Sequence, residues 1–158
     1  MAVSAAARRP AKKQDDPREA GVAAFWHFSS NRDLLKDSER LDQIKEGFSA
    51  LLVQALRVTF NLHERNVETL LNASISTLER RRREHKNLDP VASERLDRIA
   101  TVCHLAEEVF ESREGAAQWM SEPNKALGGI APIMLCETEI GAKQVRRVLQ
   151  ALEWGGAA

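Results

Sequence analysis

The sequence predicts an all-α protein. No stretch sustains the period-two alternation of a half-buried strand, whereas apolar residues recur at the i, i+3, i+4, i+7 spacing of helix faces. Capping residues stand where those faces begin. A chain of 158 residues buries one real core or two small ones, and one compact body with a tail is expected. Hydrophobic residues make up 43% of the chain but aromatic residues only 5%, with no Tyr, so the core is lean.

Residues 1–44 are expected to form a flexible N-terminal tail with a short aromatic segment. Residues 1–20, MAVSAAARRPAKKQDDPREA, lack an apolar stripe and cannot offset the entropy of ordering. The stretch GVAAFWHFSSNRDLL gathers Phe25, Trp26 and Phe28, too much apolar surface to leave in water, and is expected to dock on the main body or on a second subunit. His27 inside it reads as a packed ring.

Residues 45–110 form the next unit. Leu52, Ala55, Leu56 and Thr59 line one face of a helix that Ser49 caps and Asn61 ends in a left-handed conformation. A short helix from Glu64 to Leu71 buries Val67, Leu70 and Leu71. Asn72 supplies a turn that tolerates positive φ, and Ser74 caps a third helix anchored by Leu78. A helix, a three-residue turn and a capped helix make the helix-turn-helix outline. Asp89 and Pro90 then open a long helix whose stripe runs through Val91, Leu96, Ile99, Val102, Cys103, Ala106, Val109 and Phe110.

Residues 111–158 hold shorter helices: one over Glu114 to Met120 with Ala117 and Trp119, one over Pro132 to Cys136, and one over Gly141 to Leu152. The last turns Val145, Val148, Leu149 and Leu152 inward. Between them SEPNKALGGIAP places Gly128 beside Gly129, with Pro123 and Pro132 setting entry and exit. That reads as a shaped link and not a slack tether.

Formal net charge is zero and the pI is near 6.9, which argues against a general polyanion binder or membrane attraction. The charge is polarised, however. From Ser74 to Lys86 five cations face two acids, a net of plus three, while Leu105 to Ile140 sets seven glutamates against Arg113 and Lys125, a net of minus five. One face suits phosphate and another a basic protein cleft, although a run of surface glutamates also serves plain solubility.

In ERRRREHK, Arg80 to Arg83 point around most of a helix circumference. In a recognition helix Ile75, Ser76 and Glu79 would face bases, with Arg80 and Arg83 free for a guanine edge or a phosphate. Ser74 and Arg82 complete the candidate DNA-binding set. The alternative is a solvated charge run suited to the helix macrodipole.

There is no phosphate loop, no H-E-x-x-H and no clustered Cys and His at metal spacing, so no enzyme, cofactor or metal is expected. Cys103 and Cys136 read as buried thiols in a reducing compartment. Without a signal peptide or membrane span, a cytoplasmic protein is expected.

Residues 116–155, AAQWMSEPNKALGGIAPIMLCETEIGAKQVRRVLQALEWG, strongly resemble the C-terminal toxin-binding domain of the Xre/MbcA/ParS antitoxin family. A tryptophan precedes a P-N-x-A-L-G-G turn, a proline-started helix reads P-I-M-L-C, and T-E-x-G-A leads into a last amphipathic helix. The upstream LLVQALRVTFNLHERNVETLLNASISTLERRRR fits the family's Xre-like helix-turn-helix, so the resemblance covers roughly residues 45–155. Asn72 stands where such turns often carry Gly, and His63 replaces the usual small cap of the second helix.

The resemblance implies an Xre-like helix-turn-helix domain followed by a small helical toxin-binding domain. It implies a partner toxin of the RES-domain class that consumes NAD, with the C-terminal region obstructing the toxin's cleft. It also implies repression of the shared operon through operator DNA, as a homodimer within a hetero-oligomeric toxin–antitoxin complex. On that reading Asn124, Lys125, Leu127, Gly128, Gly129 and Ile130 form a loop bordering the toxin. The alternative is that the glycines only permit helix crossing. Glu153 and the terminal carboxylate would enter an electropositive dinucleotide cleft, anchored by Trp154; the alternative is a frayed end with Trp154 packed on its own domain. The rival function is a free-standing transcription regulator whose C-terminal domain only oligomerises.

Overall fold

A computed structural model describes residues 16–155; the disorder expected of residues 1–15, and the final residues 156–158, lie outside the described residues. The N-terminal region corrects the sequence reading. From residue 16 onward, two helices stand where a tail was expected, α1 (Pro17–Asp33) and α2 (Asp37–Glu46). Asp16 caps α1 by accepting the Arg18 N–H at 3.0 Å, and Pro17 occupies its first turn.

What holds α1 is the aromatic segment. Phe25 and Trp26 are buried edge-on against Phe60 of α3 (Leu51–Phe60), with centroids 5.2 and 6.2 Å apart. Phe28 meets Phe48 at 4.9 Å. His27 is exposed and not the packed ring expected, because its neighbours Trp26 and Phe28 turn their side chains inward and leave it on the outer face.

Three helices form the helix-turn-helix region: α3, α4 (Glu64–Leu71) and α5 (Ile75–Arg83). Asn61 and Asn72 end the first two at φ 51°, in the left-handed region that Asn tolerates. Although His63 is a poor cap, the Asn66 Oδ1 reaches back to accept the His63 N–H at 3.2 Å. Ser49 is not the cap expected: Ala50 holds the cap position of α3, and Ser49, one residue earlier, accepts the Leu51 N–H on its Oγ at 3.3 Å.

The spine is α6 (Pro90–Phe110), capped by Asp89, which accepts the Ala92 N–H at 2.8 Å. One end packs against α1, α2 and α4, and the other against α7 (Arg113–Ser121) and α9 (Glu139–Glu153). Leu96, Ile99, Val102, Cys103 and Ala106 are buried, as the stripe predicts. Val91, assigned to that stripe, is instead half exposed; Ala92 takes the inward position in the first turn.

Beyond α7 the chain makes a 3₁₀ turn at Lys125–Leu127, then α8 (Pro132–Leu135) and α9. Thr138 caps α9 by accepting the Gly141 N–H at 3.0 Å. At Gly141 any Cβ would stand 1.9 Å from the Leu135 carbonyl oxygen, so only glycine lets α9 dock on the end of α8. Helix α9 buries Ala142, Val145 and Leu149, whereas Leu152, expected inward, is 40% exposed. The two thiols are free and fully buried; burial pushes both up, Cys136 to about 12. Among the described residues there is no strand.

Candidate functional site

On α5 the arginine run divides in two. Arg81 turns back to donate to the Asn87 carbonyl at 2.8 Å, and Arg82 grips Glu79 through Nη2 and Nε at 2.9 and 3.2 Å. Arg80 and Arg83 are exposed, and neither makes a side-chain hydrogen bond or ion pair among the described residues. With Ser76 at i, i+4 and i+7 they share the face opposite buried Leu78.

Of the residues expected at bases, Ser76 is therefore on the outer face. Ile75 is not: it is half-buried against the core. Glu79 is occupied by Arg82, and the pair, each side chain nearly half exposed, flanks the groove between α5 and α3. Ser74 is exposed but employed as the cap, its Oγ accepting the Thr77 N–H at 3.2 Å. Glu68 accepts the Ile75 N–H at 3.2 Å, so the start of α5 is already satisfied by its own neighbours.

Between α7 and α8 the glycine pair forms a closed turn. Asn124 receives the Gly129 N–H at 2.8 Å on its carbonyl and the Ala126 N–H at 2.9 Å on its side chain, while its own N–H donates to the Ile130 carbonyl at 3.2 Å. Gly128 and Gly129 sit at φ 69° and 79°. An added Cβ at either would meet nothing within 4 Å, so they do not serve a helix crossing inside this chain. The turn needs their backbone conformation and leaves that backbone bare.

Leu127 is buried beneath the turn; Lys125, Gly128, Gly129 and Ile130 are exposed and Asn124 is half-buried. A shallow groove runs between this turn and α9, lined by Leu127, Ile130, Leu135, Gln144, Arg147 and Val148. Past it Leu152 is 40% and Trp154 86% exposed, so Trp154 does not pack on its own domain. Glu153 is exposed beside it. Sequence reasoning missed Leu152 as surface; Val148, expected inward, is partly buried against the core beside Ala142, Val145 and Leu149.

Three of the seven glutamates of the acidic half sit in close pairs among the described residues. Glu107 pairs with Arg113 at 3.0 Å, Glu108 with His104 at 3.2 Å, and Glu139 with Arg98 at 3.6 Å and with Arg146.

The helix-turn-helix region from 39 to 100 matches the Antitoxin Xre-like helix-turn-helix domain, and residues 105–155 match the Antitoxin Xre/MbcA/ParS C-terminal toxin-binding domain. Antitoxin Xre of Yersinia enterocolitica is 33% identical over 116 residues, spanning 73% of this chain and 78% of that protein. The chain belongs to the Xre/MbcA/ParS antitoxin family. Antitoxin Xre of Pseudomonas putida is 29% identical over 78% of this chain and 76% of its own length. The Prs ADP-ribosylating antitoxin of a Sphingobium species is 25% identical over 76% of this chain and 81% of its own length.

As an Xre-family antitoxin of a toxin–antitoxin system, the protein has a toxin partner and a DNA-binding helix-turn-helix. The glycine turn, its groove and Trp154 all lie in the toxin-binding segment, and α5 lies in the helix-turn-helix segment. Helix α1 precedes both.

Proposed function

We propose that this antitoxin neutralises a RES-domain toxin that degrades NAD, by laying its C-terminal face over the toxin's active site, and that it represses its own operon by gripping operator DNA with α5. One observation carries the toxin half. Ile130, Leu152 and Trp154 leave apolar surface unpartnered beside a bare glycine backbone, in the segment matched to toxin binding. Glu153, exposed next to Trp154, supports the reading that the tail follows that anchor into a cleft for a dinucleotide's phosphates. ADP-ribosylation, named for the Sphingobium relative, takes its ADP-ribose from NAD, which agrees with an NAD-consuming partner.

The test is co-expression with the toxin encoded beside this gene. Removing residues 153–158 abolishes rescue and NAD recovery while the truncated protein remains folded and still shifts operator DNA. Full rescue by that truncation would dismiss the plug, and an operator shift without any toxin complex would favour the free-standing regulator.

A further inference from the structure

Asp33, the last residue of α1, meets His104 and Glu108, one turn apart on α6. Nε2 of His104 lies 3.2 Å from Glu108 Oε1 and 3.6 Å from Asp33 Oδ2, and all three atoms fall within 4.8 Å of one another. Ligands held about 2.0–2.1 Å from a tetrahedral zinc ion are about 3.4 Å apart, and the two distances to the imidazole bracket that value. We propose that Asp33, His104 and Glu108 form a binding site for a divalent transition-metal ion of the zinc type, joining α1 to the spine, with water completing its coordination.

Charge argues the same way. Among the described residues neither Asp33 nor Glu108 has a Lys or Arg partner, so two carboxylates converge on one imidazole with no fixed cation to compensate them. The nearby Arg32 and Arg40 are taken up by Asp97 and Gln43. One imidazole with two carboxylates suits zinc better than magnesium or calcium, which prefer all-oxygen sites.

The imidazole is held, with its side chain 18% exposed, while the carboxylates are open to solvent. Two clefts meet at His104, one lined by Asp33 and Thr101 and the other by Glu107 and Glu111, which provides entry and room for water. Nε2 is the nitrogen that faces the two carboxylates. Spacing along the chain gave no hint, because Asp33 reaches the other two only through the docking of α1.

Full-length protein freed of metal with EDTA is titrated with ZnCl2 by calorimetry, alongside thermal unfolding. One equivalent binds, and zinc at about a hundred times its dissociation constant raises the midpoint by about 5 °C or more. His104→Gln weakens binding at least about tenfold, and so does Asp33→Asn, an exposed change that preserves the fold. Zinc that binds both variants as tightly as the parent, a midpoint that does not move, or magnesium binding as well as zinc would each overturn the proposal.

Discussion

Asp97 of α6 holds Arg40 of α2 at two points, Nη2 to Oδ2 at 2.6 Å and Nε to Oδ1 at 3.2 Å, with its side chain only 6% exposed. Arg32 of α1 comes to 3.6 Å of the same carboxylate, buried and stacked on Phe28 and Phe48 at 4.6 and 4.9 Å. Burial lowers the Arg32 pKa and Asp97 opposes that, while the Asp97 hydrogen bond raises that of Arg40. Asp97→Ala leaves the Arg32 charge uncompensated and costs about 3–5 kcal/mol in urea unfolding. A loss below about 1 kcal/mol would show that the carboxylate does not hold α1 and α2 to the spine.

Arg80→Ala with Arg83→Ala weakens operator binding and lowers the salt slope by about two, since each phosphate contact contributes about 0.9. Arg82→Ala does less, because that guanidinium is committed to Glu79. Mobility shifts across a salt series separate the two, and toxin rescue persists in both.

Gly141→Ala forces a methyl into the Leu135 carbonyl and costs about 1–3 kcal/mol or more, displacing α9. Gly128→Ala meets no atom and costs only the strain of positive φ, about 1–2 kcal/mol. Thermal unfolding of the two variants ranks the close approach above the turn.

Trp154→Ala leaves stability within about 0.5 kcal/mol, since its ring touches solvent, yet weakens the toxin complex at least about tenfold. Surface plasmon resonance with the toxin measures the second effect. Unchanged affinity would remove Trp154 from the interface.

Native Cys136 stays protonated to about pH 12, whereas an exposed thiol ionises near 9.0. Between those values the unfolded chain has lost a proton that the native one keeps, so stability falls as pH rises, by about 1.4 kcal/mol per unit. Cys136→Ala makes the alkaline decline shallower in chemical unfolding between pH 9 and 11. At pH 8 a thiol reagent reacts with neither cysteine until the protein unfolds.

Local signals mark the helix-turn-helix and the toxin-binding unit: Asn61, Asn72, Ser74, Asp89, Pro90 and Thr138 each act on backbone within a few residues, so their meaning is legible in sequence. Helix α1 is not legible in that way. Its surface is Ala, Ser and charge, and three aromatic side chains hold it by reaching Phe60 and Phe48, across loops that no local pattern encodes. The four arginines likewise look equivalent until Glu79 and Asn87 claim two of them.

The helices from α3 onward, most of their caps and the glycine turn were determined by the sequence itself, because each follows from short-range sterics and hydrogen bonding. Tertiary structure alone decided which arginines stay free, that Leu152 of α9 stays at the surface, and that Asp33 meets His104. Those outcomes depend on how distant helices share one buried core, and burial is a property of the packed whole.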